Sequence, residues 1–466
     1  MKLKKILLDF GYVISSNVLV LVVSTIVILV VPKLVGVKEF GYWQLFTFFS
    51  SYLGLLPLGW LDGIYLRYGG EKYADLDKNK FFSQFVMLMI LQLFFAVLIV
   101  IFGLFMGNSH YAFIAFSLAG YLIVYIAQSF FKFVLQLTNR VREYSVITLI
   151  SSLIYVISII LLLLLGYRKF ELLIAAFIFG NLVAMFYGAF LIRDIFISGI
   201  NNFHWTWTEM TLNIRVGSQL LIANVASLLI IGVVRMGIQN GWGIETFGKI
   251  SLTLQISNLL MVFIGAISLV LFPMLRRIER DKMNEIYPIL RDTLMPVIFV
   301  GILVYFPIIY LIPLWLPKYS SALIYMSVLF PMVAYQSKFE ILSNTFLKVL
   351  RMERQLLFIN VFTLIISIIL TIISVFFLHN LTMTVFTIII VMAIRSTIAE
   401  LYLKSKLDIK FSMEMLIETV MVVAFISLSW YLPVFKAFIG YTVILILYLI
   451  IKKNDILRSV RTIKKI

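Results

Sequence analysis

Cysteine is absent from the 466 residues. That excludes disulfides, thiolate metal sites and thiol nucleophiles, and leaves the compartment to be read from topology. Histidine occurs three times, at His110, His204 and His379. Two fall in outer turns and one in an inner loop, so neither a metal cluster nor a nucleophile–base pair is expected. No His-Glu-x-x-His motif, no Gly-x4-Gly-Lys-Ser/Thr loop and no Gly-x-Gly-x-x-Gly after a strand occurs, so ATP-driven transport would need another chain. Charge is scarce too: 13% of residues are charged, against 62% hydrophobic and a mean hydropathy of +1.06. These values lie far outside those of a soluble globular domain.

What the chain does have is apolar blocks long enough to cross a hydrocarbon core of roughly 30 Å as helices. The short alternating segments of a transmembrane barrel are missing, and runs such as Ile159 to Leu165 favour helices. The pattern predicts an all-α polytopic membrane protein of about fourteen spans, from Phe10–Leu34 to Phe435–Ile451. Among them are Phe40–Leu66, Val216–Ile238, Phe247–Met274, Ser321–Phe346, Leu381–Leu403 and Met413–Leu432. The first block runs too long for a signal-peptide core and no small-x-small site follows it, so it is expected to stay in the protein.

The net charge of +17 would suggest nucleic acid in a soluble protein. Here alternate loops carry it: with the N-terminus inside, inner segments hold 29 of the 39 Lys and Arg and outer loops six. Both termini are therefore expected to face the cytoplasm, with no nucleic-acid partner. Four cations remain inside predicted helices: Arg235, Lys249, Lys338 and Arg395.

Gly36-Val-Lys-Glu-Phe-Gly41 recurs as Gly243-Ile-Glu-Thr-Phe-Gly248, and Asn17 and Asn224 match at the same offset without a gap. Both hexapeptides join the first helix of a six-helix unit to its second, and both first helices start in the cytoplasm. The repeat is therefore parallel rather than inverted. The expected domains are a six-helix lobe over 1–200, a second over 201–410, and two additional helices with a basic tail over 411–466. Gln44, Thr47 and Ser51 form a polar stripe in one copy, and Ser251, Gln255 and Asn258 form one in the other. Such stripes serve as hydrogen-bonding glue between helices or as the lining of a wet cavity.

A buried Arg or Lys in a bilayer normally faces protein or water, so the four cations call for anions. Arg235, on the face of Asn224, and Lys249 across the next loop could flank one anion site or snorkel to headgroups. Lys338 and Glu340 point in different directions and each needs a partner elsewhere, with Arg395 a candidate for Glu340. Asp62 is read either as a titrating carboxylate or as the partner of Arg67 or a neighbouring helix end.

Phe40-Gly-Tyr42, Leu58-Gly-Trp-Leu-Asp-Gly-Ile-Tyr-Leu-Arg67 and Asn139-Arg-Val-Arg-Glu-Tyr144 resemble motifs of the Wzx-type polysaccharide flippases of the multidrug/oligosaccharidyl-lipid/polysaccharide (MOP) superfamily. The resemblance covers length, helix number and the doubled six-helix units, and its motifs concentrate in the first 150 residues. It implies a V-shaped pair of lobes around a cationic cavity, moving undecaprenyl-pyrophosphate-linked oligosaccharide outward by alternating access. Arg235, Lys249, Lys338 and Arg395 would attract the pyrophosphate, with Asn224, Gln44, Gln255 and Asn258 as polar lining and the last two helices flanking the polyprenyl tail. It implies no cofactor, coupling to H+ or Na+ through Asp62 or Glu340 with Arg67 as a further coupling or gating residue, and a polysaccharide polymerase or ligase as partner. A lipid II or teichoic-acid precursor flippase shares this logic. A cation-coupled multidrug exporter would show more carboxylates in the first lobe, and a polymerase or glycosyltransferase a long outer loop, so a carrier is expected rather than an enzyme.

Overall fold

The structure is a computed structural model; it describes residues 2–276, 278–279, 282–409 and 413–463. Side chains are described from Val18 onward, apart from positions between 262 and 276 and residues 460 and 463. Arg277, Arg280, Lys410, Lys464 and Lys465, counted among the inner cations, lie outside the described residues, as does the side chain of Asn17.

Every regular element among the described residues is helical: α1 Lys2–Leu34, α2 Val37–Ser50, α3 Trp60–Tyr68, α4 Lys78–Leu104, α5 Ser109–Leu137, α6 Val141–Leu164, α7 Phe170–Leu191, α8 Arg193–Gly199, α9 Trp207–Arg276 and α10 Met283–Ile302. Then come α11 Tyr305–Trp315, α12 Ser320–Leu323, α13 Met326–Leu329, α14 Met332–Lys338, α15 Thr345–Val349, α16 Glu353–Ile372, α17 Leu381–Lys406, α18 Glu414–Tyr431, α19 Val434–Ile451 and α20 Lys453–Ile463. Short π-helical turns over Phe339–Asn344 and Ile373–Phe377 join α14 to α15 and extend α16. In hydrocarbon only such internally hydrogen-bonded backbone is tolerated.

Ten helical stretches are long and apolar enough to cross a membrane. One of them, Trp207–Met261, holds Val216–Ile238 and the first part of Phe247–Met274, and the remaining three predicted spans are α1, the broken pair α2 and α3, and the short helices of 317–349. The chain is a polytopic membrane protein of about fourteen spans. Its helices carry large apolar side chains outward, such as Phe105, Leu164 and Phe377, as a lipid-facing surface requires.

Two irregularities correct the continuous blocks read from hydropathy. Phe40–Leu66 is not one helix: Leu58 (φ 57°) and Gly59 (φ 87°) are left-handed after Pro57, and the helix restarts at Trp60. Conversely, the predicted break between Val216–Ile238 and Phe247–Met274 shrinks to a single residue, Gly243 (φ 80°, ψ −177°), inside α9. That region is essentially open to glycine alone.

By internal packing the chain divides into two units, Met1–Val225 and Ala226–Ile466. In the first, α4 packs on α5 and α8, and α6 on α1 and α7. Glycines allow the tightest approaches: a Cβ on Gly63 would lie 2.0 Å from the Asn213 carbonyl oxygen, and one on Gly217 2.0 Å from that of Gly59. In the second, α17 packs on α13, α14 and α16, while α10 contacts α14, α19 and α20. Val328, Phe330, Phe346 and Val385 lie fully buried there.

Candidate functional site

Arg235 and Ser251 stand eight residues to either side of Gly243. In a straight helix they would be about 24 Å apart, yet Arg235 Nη2 donates to Ser251 Oγ at 2.9 Å. The guanidinium also lies 5.2 Å from the centre of the Phe247 ring. The chain therefore doubles back at Gly243, and the turn places Arg235 against the polar stripe predicted on the returning helix. On that stripe Gln255 and Asn258 are half-buried, and the Asn258 Oδ1 accepts no hydrogen bond from the described residues. Lys249 turns to a different partner, its Nζ donating to Ser321 Oγ at 3.2 Å. Asn224 is exposed on α9.

Arg395 is 3% exposed inside the apolar α17. Its Nε donates to Asn360 Oδ1 at 3.0 Å and its Nη2 to Ser227 Oγ at 2.7 Å. The guanidinium carbon lies 3.7 Å from the centre of the Phe339 ring. All three partners are uncharged, and no carboxylate forms an ion pair with Arg395 among the described residues. Glu340, the pairing candidate from sequence, instead accepts from Asn344 Nδ2 at 2.8 Å. Successive helical residues diverge by roughly 100°, so with Phe339 against Arg395, Glu340 projects elsewhere.

Lys338 is the clearest correction to the expected set of anion-binding cations. Its ammonium is ion-paired with Glu400 and lies 2.6 Å from Glu418, so the protein supplies its anions. Arg291 joins the same cluster, 2.9 Å from Glu418, 3.4 Å from Glu400 and paired with Glu414. Lys404 reaches Glu400 at 3.1 Å from one turn along α17. Three cations thus meet three carboxylates, which satisfies the rule that buried charge must be paired. Sequence reasoning missed these acids although Glu400 and Glu418 fall inside Leu381–Leu403 and Met413–Leu432: of the carboxylates inside spans, only Asp62 and Glu340 were singled out.

Beyond the spans, Lys452 extends the cluster with bonds of 2.9 Å to Glu414 and to Asp455. Burial lowers its pKa, but the hydrogen bonds it donates to these two carboxylates outweigh it and hold the amine above the ordinary lysine value. Asp292, Glu414 and Asp455 bring carboxylate oxygens within 4.8 Å of one another, close enough to hold a metal ion. The Lys452 ammonium already supplies a positive charge to two of them.

No family model matches the sequence, and no curated protein matches it. Solved structures do. A lipid II flippase, MurJ, in an inward closed conformation aligns at TM-score 0.63 and 15% identity, over 97% of this chain and 99% of its own. An inward-facing multidrug resistance MATE family transporter of the MOP superfamily aligns at 0.59 and 12%, over 84% and 98%. A MATE in the straight conformation gives 0.55 and 13%, over 86% and 96%. The fold is that of the MOP transporters.

The first unit of this MOP fold holds the remaining sequence candidates. Arg67 does not pair with Asp62: its Nη1 lies 2.7 Å from both Glu209 and Asn213 Oδ1. Five residues along a helix is about 140° around it, which turns Asp62 away from Arg67. Tyr68 and Lys80 complete the contacts of Glu209, and Asn213 Nδ2 donates to Gln84, which also accepts from Trp60 Nε1. Arg67 thus fastens α3 to the start of α9, a structural task. Asp62 is half-buried with no ion pair among the described residues. Gln44 is fully buried, its carbonyl accepting from Thr47 Oγ1 at 3.0 Å.

Proposed function

We propose that the chain is a flippase that carries undecaprenyl-pyrophosphate-linked oligosaccharide repeat units of a capsule, O-antigen or exopolysaccharide from the cytoplasmic to the outer leaflet. The observation that carries this reading is Arg395, a buried intramembrane guanidinium that among the described residues is hydrogen-bonded to an amide and a hydroxyl, set against a phenyl ring, and in no ion pair. Such a charge costs from about 2.5 to more than 10 kcal/mol in a bilayer, and no ion pair among the described residues offsets it. A diphosphate does, through charge-assisted and bidentate hydrogen bonds strengthened by the low dielectric. Arg235 and Lys249, bonded to hydroxyls, add positive potential, with Asn224, Gln44, Gln255 and Asn258 as polar lining; Lys338 leaves the set.

The same reading keeps a six-helix lobe over 1–200, a second over 201–410 and two added helices over 411–466, with both termini in the cytoplasm. Asp62 and Glu340 are its carriers of a coupling H+ or Na+, and a polysaccharide polymerase or ligase receives the product. A lipid II or teichoic-acid precursor flippase is the second reading. It is favoured by one observation: the lipid II flippase fold covers 97% of this chain, whereas the multidrug transporters cover 84% and 86%.

Depletion of the gene alone, with a glycan-directed probe applied to intact and inverted vesicles, tests the proposal. Undecaprenyl-linked oligosaccharide trapped on the cytoplasmic side supports it. Normal sidedness, with lipid II trapped instead, gives the second reading, and altered resistance to cationic drugs alone rejects both.

A further inference from the structure

The C-terminal helix α20 carries two distinct stripes. Lys452 just before it and Ser459 within it are buried, with Ile456 between them half-buried. These positions follow the i, i+4, i+7 rule of one helix face, and the helix packs on α10. Asn454, Arg458 and Arg461 follow the same rule on another face and are exposed. Together with Leu457 and Thr462 they line a surface cavity of about 360 Å³. Neither Arg458 nor Arg461 is in an ion pair among the described residues, and Asp455, the acidic residue of α20, is taken by Lys452.

The position of this face matters. α20 begins two residues after Ile451, and Ile450 and Ile451 end the membrane-spanning α19 with most of their surface exposed. A helix starting there lies at the level of the lipid headgroups. A cationic polar face at that depth meets phosphodiesters, while an exposed apolar residue such as Leu457, 45% exposed, meets the adjoining acyl region.

We infer that this face of α20 is a binding site for the phosphate of an anionic phospholipid, with Arg458 and Arg461 as the charged ligands and Asn454 as a hydrogen-bonding neighbour. The Thr462 hydroxyl donates to the Arg458 carbonyl at 2.9 Å, which leaves its oxygen lone pairs for incoming donors only, so the two guanidiniums carry the attraction. Lys452, tied to Glu414 and Asp455, fixes the first turn of the helix. The inference does not depend on what the chain transports.

The test uses the full chain in detergent with added phosphatidylglycerol or phosphatidylcholine, and native mass spectrometry counts retained lipid. The wild type is expected to retain phosphatidylglycerol over phosphatidylcholine. Arg458→Gln with Arg461→Gln is expected to lower that retention roughly tenfold. Arg354→Gln with Lys406→Gln removes the same charge from other exposed sites and is expected to leave retention unchanged. Equal retention by the α20 variant, or an equal loss in the control variant, overturns the inference. So does displacement of the lipid by low millimolar inorganic phosphate, which would make the face a site for the free anion. Circular dichroism and elution volume of the α20 variant separate lost binding from lost folding.

Discussion

Glu400 has none of its surface exposed and stands among Arg291, Lys338 and Lys404. Removing its charge strands buried cations, a change that typically costs about 3–5 kcal/mol. Glu400→Gln is therefore expected to lower the melting temperature of the purified protein sharply. Arg395→Gln is expected to do the reverse: it removes a buried charge whose partners are neutral, so thermal stability should hold or rise while transport is lost. Thermal unfolding of both variants, set beside a transport assay, checks the pair; a large destabilisation by Arg395→Gln would make that residue a structural group. At this scale the sequence was half legible. Arg235, Lys249, Lys338 and Arg395 stand out because hydropathy makes any cation in an apolar block conspicuous. Which of them the chain neutralises depends on Glu400 and Glu418, brought to Lys338 by packing over sixty or more residues of separation.

Elements were legible where they were uniform and obscured where backbone geometry intervenes. The block Phe40–Leu66 sums to a continuous apolar helix, although Pro57 and Gly59 carry the punctuation that breaks it. The residues behind the family resemblance prove to be turn-makers and fasteners. Leu58 and Asn139 are left-handed, Arg67 holds Glu209, and Arg140 pairs with Glu143 at 3.1 Å. Two glycines distinguish close approach from mere freedom. Gly63→Ala would drive a methyl group into the Asn213 backbone, so loss of folded, monodisperse protein is expected on size-exclusion chromatography. Gly70 has positive φ, at 100°, but nothing lies within 4 Å of where a Cβ would be. Gly70→Ala is expected to cost only about 1 kcal/mol, seen as a small shift in melting temperature.

At the scale of the whole molecule, the membrane-crossing helices were legible as hydropathy blocks, and the recurring hexapeptide falls at the start of α2 and at the Gly243 turn of α9. Less visible was how the last two spans are held. Arg291 of α10 and Lys338 of α14 are paired with Glu414 and Glu418 of α18, so these spans complete a buried charge cluster. A chain ending at Ile409 is expected to leave Arg291 and Lys338 under-paired and to be lost as folded protein in membranes. Recovery of a stable truncated protein would show that the cluster is dispensable. The central claim is that an intramembrane guanidinium binds the diphosphate of a lipid-linked substrate. Its most direct test is native mass spectrometry of the purified protein with undecaprenyl pyrophosphate, comparing wild type, Arg395→Lys and Arg395→Gln. The account predicts binding by the wild type, partial binding by Arg395→Lys and loss in Arg395→Gln with the fold intact; binding by Arg395→Gln equal to wild type would contradict it.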